Sequence, residues 1–311
     1  MRAIQINSYG GPSKIKMAES ACPEPLAHQV RVKINDAGVN PIDWKIRAGM
    51  HASHVREHFP LVLGQDFAGE VVKLGVGVAN FAIGDRVVGF AEDGAYAEYA
   101  VVDTDQITHT PQTIEDEVAA AVPTSGLTAY QLIMDAAAVQ PGQLVLIHGA
   151  SGGVGSVAVQ IANWRGAHVI ANASAKDADY LRRLGAEEII DHYTERFENL
   201  VSGADAVIDL VGGETAERSL GVLRPGGVLV STVGATANLF LSSKSILTVD
   251  FVMKRDIAQL AHLMKLIEEG FVEIRIAETL PLDQAAQAHI LSQRGHLPGK
   301  IVLRVDHSSS L

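Results

Sequence analysis

Ala150-Ser151-Gly152-Gly153-Val154-Gly155 is the segment whose residue types and spacing point most directly to chemistry. Glycine at 152 and 155 lets a backbone approach a pyrophosphate and lets a helix pack closely on the preceding strand, while the free N–H groups and partial positive charge of a helix start favour an anion. The flanks fit that reading: LVLIHG, residues 144–149, is an apolar β-type run, and Val157, Ala158 and Ile161 recur at helical spacing. Ser151, Gly152, Gly153, Val154 and Gly155 are therefore candidate dinucleotide contacts. Ala150 replaces the first glycine of the fingerprint, so for these six residues alone a tight strand-to-helix turn without a ligand is the alternative.

About twenty residues further on, an NAD-binding fold places an acidic residue at the end of its second strand to hold the ribose 2′-hydroxyl. Here the second strand, His168-Val169-Ile170-Ala171-Asn172, ends in Ala173-Ser174-Ala175-Lys176. A small residue, a hydroxyl and a cation replace the carboxylate, a corner suited to a 2′-phosphate. The expected cofactor is NADPH rather than NADH, with Ser174 and Lys176 as contacts. The alternative is a solvated lysine at a helix start, where a cation is mildly disfavoured.

The elements that position these residues change character along the chain. Residues 1–7, 29–37, 67–74, 86–90 and 95–102 are short β-type runs bounded by Gly, Pro and Asp. From Ile114 the pattern alternates: helical periods at 115–122, 126–138 and 156–163, and strands LVLIHG, HVIANA, EEIID, AVIDLV and VLVSTV, which predict a parallel, doubly wound sheet. A helix (257–269), a strand (273–279), a helix (282–291) and a final strand (300–305) remain, with no low-complexity linker before them, so this tail is expected to fold back onto the N-terminal part.

Composition narrows the partners. At 311 residues and 47% hydrophobic content two cored domains are expected. No apolar run reaches the roughly 18 to 20 residues of a membrane span, and the N-terminus alternates like a strand rather than a signal peptide, so a cytoplasmic protein is expected. A net charge of −11 without a basic run argues against nucleic acid. Cys22 is the only cysteine, which rules out an intrachain disulfide and a multi-thiolate zinc site. Residues 306–311 lose the apolar pattern and read as a frayed tail.

The segments AGVNPIDWKIRAG, FPLVLGQDFAGEV, GVGVANFAIGDRVVGF, VPTSGLTAYQ, HGASGGVG and GKIVLRV, in that order, resemble the medium-chain dehydrogenase/reductase superfamily on its zinc-independent, quinone-oxidoreductase-like branch. The resemblance implies a GroES-like β-barrel catalytic domain over residues 1–121, completed by 256–311, a Rossmann NADP-binding domain over 122–255, an active cleft where they meet, and a homodimer formed through the β-rich stretch LFLSSKSILTVDFV. In the zinc-dependent alcohol dehydrogenases of this superfamily two cysteines and a histidine hold the metal. The matching positions here are Asn40, Gln65 and a residue near Ala120, and the four-cysteine structural loop is missing, so no metal site is expected.

By the same resemblance Asn40 and Asp43 line the cleft beside the nicotinamide, where an Asn amide can donate to a carbonyl gaining negative charge. Their alternatives are a turn opener and a helix cap. His51 stands where relatives often have tyrosine and could deliver a proton near neutrality; with His54 and His58 it could equally form a metal patch or a solvated segment. Thr128 matches a position near the nicotinamide ribose and Tyr193 one flanking the adenosine phosphate; the alternatives are a threonine back-bonded to its own helical turn and a surface cap for the third strand. Val211 and Val233 end the fourth and fifth strands, where α/β folds bind ligands, although a glycine after a strand is more often turn chemistry. Lys300 in PGKIVL is a further cofactor candidate, although a lysine opening an edge strand is ordinary. The resulting expectation is an NADPH-dependent reductase of a small quinone or α,β-unsaturated carbonyl compound. The alternatives are a zinc-free alcohol or aldehyde reductase, and a non-catalytic NADPH-binding sensor or structural protein.

Overall fold

The computed structural model of the protein describes residues 1–50, 59–234 and 245–307. They form two compact units, the first comprising Met1–Thr124, Arg255–Glu268 and Ile274–Leu311 and the second Ser125–Lys254 and Glu269–Glu273. These cuts fall three residues beyond 121 and one before 256, and the short segment 269–273, read from sequence as part of the first unit, groups with the second.

The first unit is organised by the strand Gln29–Val39, which alternates buried and half-buried residues until Ala37 and is then buried throughout. Alternation marks a strand with one solvated face; its loss marks coverage on both. Asp66–Leu74 pairs with it antiparallel on one side and Lys300–Arg304 on the other, with Arg86–Phe90, Ile107–His109, Ile276–Pro281 and Tyr99–Asp103 completing the sheet. The tail does fold back, and the register Ile301 to Val39 puts Lys300 beside Asn40. The covering element at this end is the helix Asp116–Ala120. It lies so close that a Cβ at Gly38 would collide with the Ala120 carbonyl oxygen, which is why position 38 takes glycine. A smaller antiparallel sheet joins Arg2–Ile6 to Lys16–Glu19 and Leu61–Val62.

The second unit is a six-stranded sheet with every pairing parallel. Its order is Glu188–Asp191, His168–Ala173, Leu144–His148, Ala204–Asp209, Leu223–Ser231, Leu247–Asp250. Numbered in chain order the strands run 3-2-1-4-5-6, the doubly wound Rossmann arrangement, with ligands expected beyond the carboxyl ends at the switch beside the first strand. The helix Gly155–Trp164 follows that strand and is buried from Gly155 to Ala162.

Element boundaries differ from the sequence reading where turns intervene. Residues 95–98 are not part of a regular strand, because Gly94 turns the chain at φ +106 and Ala97 makes only an isolated bridge to Ala3 before Tyr99–Asp103 begins. The helix expected from 126 starts at Pro123, since proline suits a first helical turn, and its last turn widens into a π-helix over Leu132–Ala136. Among the described residues no helix is long and apolar enough to cross a membrane.

Candidate active site

At the switch point, two glycines of the fingerprint do different work. A Cβ at Gly155 would collide with the Gly149 carbonyl oxygen and the Ala150 backbone, so glycine there is demanded by helix-on-strand packing. A Cβ at Gly152 would meet only the Gly149 carbonyl oxygen, at 3.4 Å, and the backbone there needs no positive φ. The protein's own packing therefore does not require glycine at 152, and the bare, half-buried turn is the space a ligand's phosphates would fill. The first N–H groups of any helix lack intrahelical acceptors, so this turn fits a pyrophosphate.

The 2′-corner follows the neighbouring strand. Ser174 is half-buried and Lys176 exposed. One carboxylate ties this corner to the next loop: Asp191 Oδ1 accepts from the N–H of Tyr193 at 3.2 Å and of Ala175 at 3.4 Å, and Oδ2 accepts from the Thr194 hydroxyl at 3.1 Å. Those donors, led by the Tyr193 N–H, hold the Asp191 carboxyl below its ordinary range. Three large apolar side chains stand exposed along this edge of the sheet, Tyr193 at 70%, Val211 at 56% and Val233 at 45%, as expected for surfaces that a flat ligand would cover.

In the first unit the chemistry-bearing side chains converge below the surface. Asn40 opens the helix Pro41–Arg47, and its backbone N–H donates to Asp43 Oδ2 at 2.8 Å, so Asp43 takes the helix-capping place that was one of its two sequence readings. The Tyr96 hydroxyl donates to the same oxygen at 2.8 Å. The Asn40 side chain is clamped at both ends: Nδ2 donates to Asp66 Oδ2 at 2.8 Å, and Oδ1 accepts from the Lys300 ammonium at 2.5 Å. Asp66 also accepts from the Thr124 N–H at 2.9 Å and the Thr124 hydroxyl at 2.6 Å. Burial pushes Asp43 up to about 7 and raises Asp66, while the nearby Lys300 pulls both the other way.

This placement corrects the reading of Lys300 as a cofactor contact. Lys300 is not a surface cation free for a cofactor: it is buried, and its ammonium donates to Val39 O at 2.9 Å as well as to Asn40. Cations also stand at the two positions weighed for metal binding, Asn40 and Gln65. Lys300 faces the Asn40 oxygen, and the Arg255 guanidinium donates to Gln65 Oε1 at 3.0 Å. Two cations bound to amide oxygens are a poor environment for a divalent metal ion.

Ser151 to Gly155, Ser174, Lys176, Tyr193, Val211 and Val233 thus gather along one edge of the second unit, while Asn40, Asp43 and Lys300 form one cluster in the first. Thr128 is buried in the helix Pro123–Gln131 of the second unit. His51, with His54 and His58, lies outside the described residues. Asp66 was missed, although LGQDFAG places it next to the position weighed for metal binding. Also missed was a row of buried polar residues, Asn172, His148, Asp209 and Ser231, each of which closes one of the parallel strands or falls one short of its end.

Two family profiles match the chain, "Alcohol dehydrogenase GroES-like domain" over residues 26–112 and "Zinc-binding dehydrogenase" over residues 184–303. The chloroplast envelope quinone oxidoreductase homolog of Arabidopsis thaliana is 33% identical over 97% of this chain and 98% of its own length. Among solved structures, the quinone oxidoreductase of Coxiella burnetii superposes with a TM-score of 0.93 at 36% identity, covering 98% of this chain and 99% of that one. The Escherichia coli quinone oxidoreductase, complexed with NADPH, superposes with a TM-score of 0.86 at 28% identity over 98% of this chain and 100% of that one.

Proposed function

Because the chain belongs to the quinone oxidoreductase family of the medium-chain dehydrogenase/reductase superfamily, we propose that it is an NADPH-dependent reductase of small quinones and α,β-unsaturated carbonyl compounds. The observation that carries the reading is the bare Gly152 turn followed, one strand over, by Ser174 and Lys176 in place of a carboxylate. When bound, NADPH supplies a hydride equivalent to the acceptor.

The chain's own residues bind and orient. The N–H groups of the 151–155 turn other than that of Gly152, which donates to the Gly149 carbonyl oxygen at 3.1 Å, hold the pyrophosphate, and Ser174 and Lys176 the 2′-phosphate. Tyr193, Val211 and Val233 offer apolar faces, and Thr128 takes the nicotinamide ribose. Asn40 donates its remaining amide N–H to the acceptor oxygen as charge develops there. Asp43 holds the Asn40 backbone in place, and protonated His51 delivers the proton that, after hydride addition, completes reduction of a quinone to a hydroquinone. A conjugated acceptor needs less electrophilic help than a saturated ketone, so an enzyme that stabilises charge through an amide rather than a metal favours it. We place the enzyme in the cytoplasm as a homodimer. The end strand Leu247–Asp250, with Leu247 exposed and Val252 exposed just beyond it, supports the second of these.

The test is a panel of a quinone, an enone and a saturated ketone, followed by NADPH oxidation on protein dialysed against a strong chelator. Faster turnover of the quinone and enone by the chelator-treated protein is expected. A preference for the saturated ketone, or activity that vanishes with chelation and returns with zinc, would overturn it.

Cofactor choice has its own measurement. Lys176→Ala is expected to weaken NADPH about ten- to a hundredfold, the scale of one charge-assisted contact, and to leave NADH nearly unchanged. Fluorescence titration of both nucleotides reads this directly. Parallel losses for the two, or none for either, would remove Lys176 from the site.

A further inference from the structure

The strands Leu144–His148, His168–Ala173, Ala204–Asp209 and Leu223–Ser231 carry the apolar runs 144–147, 169–171, 206–208 and 228–230, each followed by a polar residue, and the sheet register aligns these polar residues. Asn172 lies opposite His148, His148 opposite Asp209, and Asp209 opposite Ser231. All are buried, with Asp209, His148 and Ser231 at 0% exposure. The Asn172 amide donates to His148 Nδ1 at 2.8 Å, which leaves the Nε2 proton for the Ser219 hydroxyl oxygen at 2.9 Å; that hydroxyl donates in turn to Thr215 O at 2.6 Å. Burial pushes His148 down to about 4, against the pull of Asp209, so at neutral pH this imidazole is uncharged and does not neutralise Asp209.

Asp209 joins two loops. Its Oδ1 accepts from the N–H of Val211 at 3.1 Å and of Gly212 at 2.9 Å, and its Oδ2 accepts from the Ser231 hydroxyl at 2.9 Å. The Ser231 oxygen accepts from the Val233 N–H at 3.3 Å, and the Thr232 N–H donates to the Asp209 carbonyl at 3.1 Å. One buried carboxylate therefore fixes the loops that present Val211 and Val233. Only a carboxylate accepts at both oxygens without donating. An amide here would turn its NH2 either to the two backbone donors or to Ser231.

Strand order says what those loops face. The glycine turn follows Leu144–His148, the Ser174-to-Lys176 corner follows the neighbouring strand on one side, and Asp209 and Ser231 end the strands on the other. A dinucleotide with its pyrophosphate at the turn and its 2′-phosphate at the corner must extend its other half over Val211 and Val233. We infer that Asp209 is a positioning residue for the nicotinamide half of NADPH, acting through the loops that carry Val211 and Val233. This rests on the reading of the second unit as the NADPH site.

Calorimetric titration of wild type, Asp209→Asn and Ser231→Ala with NADPH and with 2′,5′-ADP, which carries only the adenosine half, separates the possibilities; thermal melting runs alongside. Asp209→Asn is expected to weaken NADPH about tenfold, the scale of one lost charge-assisted hydrogen bond, with 2′,5′-ADP unchanged. Ser231→Ala removes the hydroxyl donor to Asp209 Oδ2 and the link to Val233 but keeps the two backbone bonds that hold the Val211 loop, so it should lower NADPH affinity less, with the same selectivity. It also decides the matter should Asp209→Asn fail to fold. NADPH affinity unchanged in the folded variants, or equal losses for both ligands, overturns the positioning role. Wild-type protein that binds neither ligand overturns the NADPH reading itself.

Discussion

Methionine in place of Lys300 is expected to destabilise the first unit by about 3 to 5 kcal/mol, the scale for leaving one member of a buried charge constellation without its partner. Lys300, Asp66 and Asp43 are 6%, 0% and 1% exposed, and Asn40 bridges the ammonium to the Asp66 carboxylate. The ammonium is the charge that opposes the desolvation of both acids. Asp66→Asn in the same background removes the orphaned carboxylate, so the double variant should recover part of the loss, which urea midpoints of the four proteins would show as non-additivity. The cost should also depend on pH. Burial raises Asp66 above its unfolded value, so its ionised form is the penalised one, and the penalty grows as pH rises through that raised value. Without Lys300 the raise is larger: the destabilisation should be smallest near the ordinary carboxylate value of about pH 4 and largest in alkali. Additive losses that do not vary with pH would show that Lys300 serves only as packing.

That network marks the limit of what the sequence makes legible. The parallel sheet is readable because its four inner strands carry buried apolar runs, 144–147, 169–171, 206–208 and 228–230, and the helix after Gly155 is readable from its period. The network is not, because its members are drawn from distant segments; Lys300 and Asn40 are 260 residues apart and meet only through the pairing of Lys300–Arg304 with Gln29–Val39. Taken alone, a lysine that opens a strand looks like a surface charge or a cofactor contact. Asp66 is hidden for the same reason: nothing local says that an acid beside Gln65 will find Thr124 and Asn40. The polar row of the second unit is a different case. Asn172, His148, Asp209 and Ser231 each stand at or next to the end of an apolar run, so the signal is present in sequence, but it gains meaning only when the register aligns the four.

Asn40→Ala is expected to lower kcat for a quinone by about a hundred- to a thousandfold, the loss seen when one donor to a developing oxyanion is removed. The clamp gives the reason. With Oδ1 held by Lys300 and one Nδ2 hydrogen held by Asp66, the plane of the carboxamide is fixed, and the remaining N–H cannot reorient to suit the ground state. An ammonium on the carbonyl oxygen also draws electron density from the amide and strengthens that N–H as a donor. Such a donor contributes most where negative charge peaks, so kcat should fall while NADPH affinity holds, because the proposed cofactor contacts belong to the second unit. Alanine also strips Lys300 and Asp66 of a shared partner, so melting temperature must be followed. Asp66→Asn supplies the complementary variant: it keeps the Asn40 amide but loosens its clamp, and should give a smaller kcat loss in the same direction. Full turnover by folded Asn40→Ala, or a loss of NADPH binding equal to the loss of turnover, would move the oxyanion donor elsewhere.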